Sequence, residues 1–92
     1  MNRGDIVITS LPGDYGKPRP TVIIQSDFYD KHDSVTLCPL TSFLSDAPLF
    51  RLTIFPNDIN NLEETSQIMS DKMATMKKIK ITKKLASLPF LN

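Results

Sequence analysis

The sequence predicts a mainly β protein, one domain over residues 1–92 whose short strands roll into a compact barrel. Three observations point there. The apolar runs are short and broken by turn signals, the pattern of a small β protein. The clearest of them, TVIIQ at 21–25, is a nearly continuous β-branched run, as a central strand requires. The chain has 92 residues, 40% of them hydrophobic, which is enough for one small core and leaves no room for a second domain.

The elements follow in order. DIVIT at 5–9 reads as the first strand and TVIIQ at 21–25 as the second, with a long loop between them. DKHDS at 30–34 is a polar turn, and VTLCPL at 35–40 is the third strand. Pro39 has no N–H to give a ladder, so it places that strand's end at an edge or a bulge. In FRLTIF at 50–55, Phe50, Leu52 and Ile54 alternate inward against Arg51 and Thr53. PNDINNLEE at 56–64 has the composition of a loop with a helical turn, Asn57 or Asp58 serving as cap. QIMSDKMATM at 67–76 is ambiguous. Met69, Met73 and Met76 stand at i, i+4 and i+7, the spacing of a buried helix stripe. The tail alternates weakly at Ile79 and Ile81, then turns once through Lys84–Leu88.

The lone Cys38 excludes an internal disulfide, and one cysteine with one histidine cannot complete a zinc site. No metal or other cofactor is expected. The first residues, MNRGDIVIT, include an acid and no long apolar stretch. They read as neither a secretory leader nor a membrane span, so a reducing cytoplasm is the expected compartment. The formal net charge is +1, unevenly spread. All ten acids fall in residues 1–71 with five Lys/Arg, whereas residues 72–92 hold six lysines and no acid. Such a basic end suits a polyanion or an acidic partner, or is a solvated lysine face.

Chemistry concentrates in PGDYGKPRP at 12–20. Pro18 and Pro20 hold the backbone around Arg19 extended before its side chain makes any contact. A guanidinium held that way is a fork for phosphate oxygens, and Gly13 and Gly16 let the upstream segment turn or hinge. The alternative is a rigid turn feeding a strand. Thr41 and Ser42 end the third strand, as rim hydroxyls able to meet a phosphate or as turn residues bonding their own backbone. His32, in a polar turn with no nucleophile beside it, is an exposed histidine before it is a general base. Cys38, among apolar neighbours, is a core residue.

Four blocks together resemble the MazF/PemK family of toxins from type II toxin–antitoxin pairs. They are RGDIV at 3–7, GDYGKPRPTVII at 13–24, CPLTS at 38–42 and SQIMSDK at 66–72. The resemblance spans about residues 3–88. It implies an SH3-like small β-barrel that dimerises about a two-fold axis, and it makes residues 67–76 strand, against the methionine spacing. It implies a metal-independent, sequence-specific endoribonuclease that cuts single-stranded RNA and so stops translation and growth. The ends left would be a 2′,3′-cyclic phosphate and a 5′-OH. Carried over by position, Arg19 matches the catalytic arginine, Thr41 the catalytic threonine and Asp71 the late acid, a candidate base. Asp14 falls at an acidic flap position. Tyr15 would stack on a base or pack on its own turn, Lys17 and Lys72 would hold the RNA backbone, and Gln25 and Ser42 complete the expected substrate contacts. An acidic, partly disordered antitoxin is the expected protein partner. Two departures stand out. Met69 occupies a position where one branch has a catalytic arginine, and the sequence ends at Asn92, where relatives continue into an amphipathic helix. The resemblance also admits a gyrase poison of the CcdB kind, or an inactive SH3-like binding module.

Overall fold

The structure, a computed structural model, describes residues 2–11, 17–25, 31–46, 51–81 and 83–88. Seven strands occur among them: β1 (Asp5–Thr9), β2 (Arg19–Ile23), β3 (Ser34–Thr41), β4 (Arg51–Ile54), β5 (Ser66–Met69), β6 (Ala74–Lys77) and β7 (Lys83–Ser87). The pairings are all antiparallel and run β4-β5-β3-β2-β1-β7, with β6 also paired to β3.

β3 is the trunk. Its flank on β2 is continuous from Leu37 to Pro39, but the other flank is shared. Ser34–Leu37 pair with β6, and Leu40–Thr41 pair with β5. The sheet therefore forks between Leu37 and Leu40, and Pro39 sits in the gap. A residue without an N–H is tolerated there because no ladder bond is due on that flank. This is the irregularity the proline foretold, although it falls inside a central strand. A single 3₁₀ turn, Ser70–Lys72, carries the chain from β5 to β6 across the fork.

That turn explains the methionine spacing. Met69 ends β5, Met73 lies just past the turn and Met76 is buried in β6. Two strands of period 2 joined by one tight turn imitate a helical stripe, so the strand reading is the correct one.

The bent sheet has a core on each face. Ile6, Val22, Cys38, Leu40, Ile54, Ile68 and Leu88 pack together on one side. Val7, Leu11, Ile23, Val35, Leu37 and Met76 pack on the other, against Ala74 and Ile81. Apolar residues on both faces are why the central strands read as continuous runs rather than alternations. Among the described residues, the sheet's ends, β4 and β7, are not joined by a ladder. They face each other across a groove of about 350 Å³ lined by Leu52, Phe55, Ile59 and Leu88 among others. Leu52 has the expected parity, lying opposite core residue Ile68. It is nonetheless 50% exposed, because β4 is an edge strand beside that open seam.

β7 corrects the expectation of a turn at Lys84–Leu88. KKLAS has little strand character by composition, and its partner makes it a strand. It pairs with β1. Buried Asp5 accepts the Ser87 hydroxyl at 2.9 Å and lies 3.4 Å from the Lys84 ammonium. Gly4, at φ 93°, donates to the Ile23 carbonyl and accepts from Leu88 N–H. A side chain at that positive φ would be strained, which accounts for glycine in the RGD block.

Candidate active site

β2 begins at Arg19, two residues before the expected start, so Arg19 itself enters the sheet, paired with Thr9. The buried Thr21 hydroxyl donates to the Arg19 carbonyl at 3.3 Å. The β2–β3 register sets Thr21 beside Pro39, which brings the start of β2 and the end of β3 to one rim. Here Arg19, Thr41, Lys17 and Ser42 line a single cavity of about 460 Å³, with Leu40 and Leu85 as apolar wall. Arg19 is half-buried and its Nε fully so. The Thr41 hydroxyl accepts the Phe43 N–H at 3.1 Å. That bond fixes its oxygen and leaves its proton to donate.

Apart from Ser66, at the start of the SQIMSDK block, much of the rest of the cavity comes from a segment the motifs did not mark. Asn61, Leu62, Glu63 and Glu64, from the segment between β4 and β5, also line it. Buried Asn60 shapes this segment. Its amide donates to the Phe55 carbonyl, and its oxygen accepts from Asn57 and Leu62 N–H. The Asn57 side chain caps Ile59 and Asn60 N–H, the capping role expected of it. Asn61, at φ 54°, donates to the Leu85 carbonyl on β7. Asparagine tolerates that left-handed conformation better than most residues.

Gln67 falls within the SQIMSDK block, which gave it no role of its own. It is buried on β5 opposite Thr41. Its side chain accepts from Ser45 N–H at 2.8 Å and donates to the Ser45 carbonyl at 3.0 Å and to Thr53. It stands in for a strand partner and holds the segment after Thr41. A buried glutamine in SQIM was the available signal, but its target lies 22 residues away in sequence.

The remaining candidates lie apart. Asp71 is in the 3₁₀ turn and does not line the cavity. Its carboxylate takes both arms of Arg51, at 3.0 and 3.3 Å. The hydrogen bond from Arg51 is the main reason its pKa is lowered from 3.8. A group stabilised as its anion contributes stability above its unfolded pKa and loses it as pH falls through the folded value. Asp71 is therefore expected to titrate below 3.8, and Arg51→Met to move that midpoint upward, as read by carboxyl NMR. Lys72 lines a second hollow of about 240 Å³ with Met69, Met73 and Pro39; Arg19 borders both hollows. Gln25 lies two residues past the end of β2 that is remote from Arg19, where its oxygen accepts Thr36 N–H at 3.3 Å. That bond holds β2 against β3, away from the cavity. His32 precedes β3, at the opposite end from Thr41. Burial, and secondarily the Asp71 charge, push the Cys38 thiol up, so it stays protonated. Asp14 and Tyr15 lie outside the described residues.

Residues 2–90 match the family model of the PemK-like, MazF-like toxins of type II toxin–antitoxin systems. The chain belongs to this family. It is also 42% identical over 89 residues to the probable endoribonuclease MazF of Mycolicibacterium smegmatis, covering 96% of this chain and 82% of that one. Solved structures share the fold at lower identity. The Mycobacterium tuberculosis toxin MazF-mt6 superposes with a TM-score of 0.76 at 20% identity, covering 91% of this chain and 79% of that one. A mycobacterial endoribonuclease in complex with its cognate antitoxin gives 0.78 at 19%, covering 99% and 82%. The chain is thus a toxin of a type II toxin–antitoxin system and a homologue of an endoribonuclease, on the SH3-like MazF fold.

Proposed function

We propose that this toxin is a metal-independent endoribonuclease that cuts single-stranded RNA in the Arg19–Thr41 cavity. The observation that carries the reading is that these two side chains, far apart in sequence, line one hollow at one rim. Supporting it is the 42% identity to a relative named as a probable endoribonuclease.

Cleavage without a metal asks for three things. The 2′-oxygen must lose its proton, the phosphorane must be stabilised, and the 5′-oxygen must leave. Arg19 suits the second task. Its fork gives two N–H bonds to non-bridging oxygens, and these strengthen as charge builds on them. The Thr41 hydroxyl donates to the same phosphate. Lys17 and Ser42 hold the flanking backbone, and Lys72, beyond Arg19, extends the cationic track. Bases lie unpaired, since sequence in RNA is read from splayed single strands. A cognate antitoxin, as in the mycobacterial complex, binds this toxin and closes the cavity, and the toxin acts as a homodimer in the cytoplasm.

The test is incubation of the purified protein with a long, mixed-sequence single-stranded RNA in chelator, with the new 5′-OH ends mapped by sequencing. Discrete ends at a recurring short sequence are expected. Intact RNA, or cutting that vanishes with chelator, refutes the reading.

A further inference from the structure

The chemistry above lacks a group to take the 2′-proton, and the structure narrows the choice. An arginine is too basic to take that proton. His32 is at the wrong end of β3, and Asp71 is outside the cavity with both carboxylate oxygens on Arg51. Among the described residues, the carboxylates that do line the cavity are Glu63 and Glu64.

Their placement is built. Leu62 packs on the core that holds Ile6, Val22 and Leu40, Asn61 is bonded to Leu85 on β7, and the Glu64 carbonyl accepts the Ser66 hydroxyl at 3.0 Å. The main chain on both sides of the pair is therefore fixed while both side chains are exposed to the cavity mouth. The charged groups sharing that cavity are Lys17 and Arg19. Of β7, Leu85 lines the cavity, while the Lys84 ammonium lies against Asp5. Carboxylates beside a phosphate weaken RNA binding by like-charge repulsion. Two of them on a fixed segment next to the phosphate-gripping arginine call for another task.

We propose that the Glu63–Glu64 pair supplies the general base for RNA cleavage, a role that rests on the cavity being the cleavage site. One carboxylate takes the proton of the 2′-OH as the 2′-oxygen bonds to phosphorus and the bond from phosphorus to the 5′-oxygen breaks. The 5′-oxygen leaves with a proton from solvent, the carboxylic acid returns its own to solvent, and no water is consumed. General-base catalysis contributes typically 10²–10⁴-fold.

The experiment uses an oligonucleotide carrying the site mapped on the long RNA. Wild type, Arg19→Ala, E63Q, E64Q and the double variant E63Q/E64Q are compared across pH. The double variant is expected to lose about 10²-fold or more in kcat, with KM unchanged or lower, because two repelling charges are gone. The fall in rate at acid pH should go with it, and the single variants identify which carboxylate acts. The defect should persist on a substrate with sulfur in place of the bridging 5′-oxygen, a leaving group that needs no proton. Recovery on that substrate would make the pair an acid and overturn the proposal. A double variant that cuts at the wild-type rate or faster, while Arg19→Ala is slowed, also overturns it and leaves the cleavage site standing. If the wild type itself does not cut, the site reading fails and the base falls with it.

Discussion

Arg19→Ala is expected to slow RNA cleavage by about 10²–10³-fold, the usual loss when one preorganised donor to a developing oxyanion is removed. The loss should fall on kcat. Ground-state binding is shared with Lys17 and Lys72, whereas the two-pronged bond to the phosphorane is made by Arg19 alone in this scheme. Arg19→Lys should recover little, because an ammonium is a point charge and cannot present two parallel N–H bonds. The fold should survive. Arg19 is at the start of β2, only half-buried, and the backbone it contributes to the β1 ladder is untouched by the substitution. Steady-state kinetics on the mapped oligonucleotide, with a thermal melt of each variant, check both halves. An Arg19→Ala protein that melts normally and cuts at the wild-type rate would remove Arg19 from the chemistry. In cells, the same variant should no longer arrest growth.

The second large effect is on stability. Leu37→Ala should cost about 2–5 kcal/mol, the range for truncating a buried leucine. Leu37 is fully buried, paired with Ile23 on β2 and Ala74 on β6, at the base of the fork. It is held between β2 and β6 and packed with Val7, Leu11, Val35 and Met76, so a cavity there has little freedom to collapse. A domain has only about 5–15 kcal/mol of total stability, and for a chain of this size each kcal/mol moves Tm by about 4–8 °C. A fall of roughly 10 °C or more is the expected result by calorimetry or circular dichroism. Ile79→Ala is the control. Ile79 is 87% exposed, and surface substitutions of this kind usually stay within about 0.5 kcal/mol. A Leu37→Ala melt within a few degrees of wild type would mean that the second core is not packed as described.

Much of this was legible in the sequence for identifiable reasons. DIVIT and the β-branched run at 21–25 marked β1 and β2 because strands buried on both faces need such residues. The prolines about Arg19 marked a preset extended backbone, and Pro39 marked a broken ladder. Thr41 and Arg19 were singled out separately by their local sequence, each with a bland alternative; the family resemblance paired them, and the structure brings them to one rim. Other features were hidden because they depend on partners distant in sequence. KKLAS is a strand because β1 offers it an edge and Asp5 takes its serine hydroxyl and its lysine. Met69, Met73 and Met76 carried a true spacing with the wrong cause, since a turn between strands displaces side chains much as a helix does. Asp71 matched a motif position, but Arg51, 20 residues earlier, occupies its carboxylate.

The sequence by itself determined the local terms: which segments extend, where the chain turns, and that an arginine is held straight between prolines. Those follow from steric limits on φ and ψ and from side-chain polarity, which act over a few residues. The tertiary structure decided which distant groups meet: Glu63 and Glu64 in one cavity with Arg19, Gln67 holding the Thr41 segment, and Asp71 turned away to Arg51. Those are set by strand register and by how the sheet forks, and register is a property of paired strands that no single segment contains.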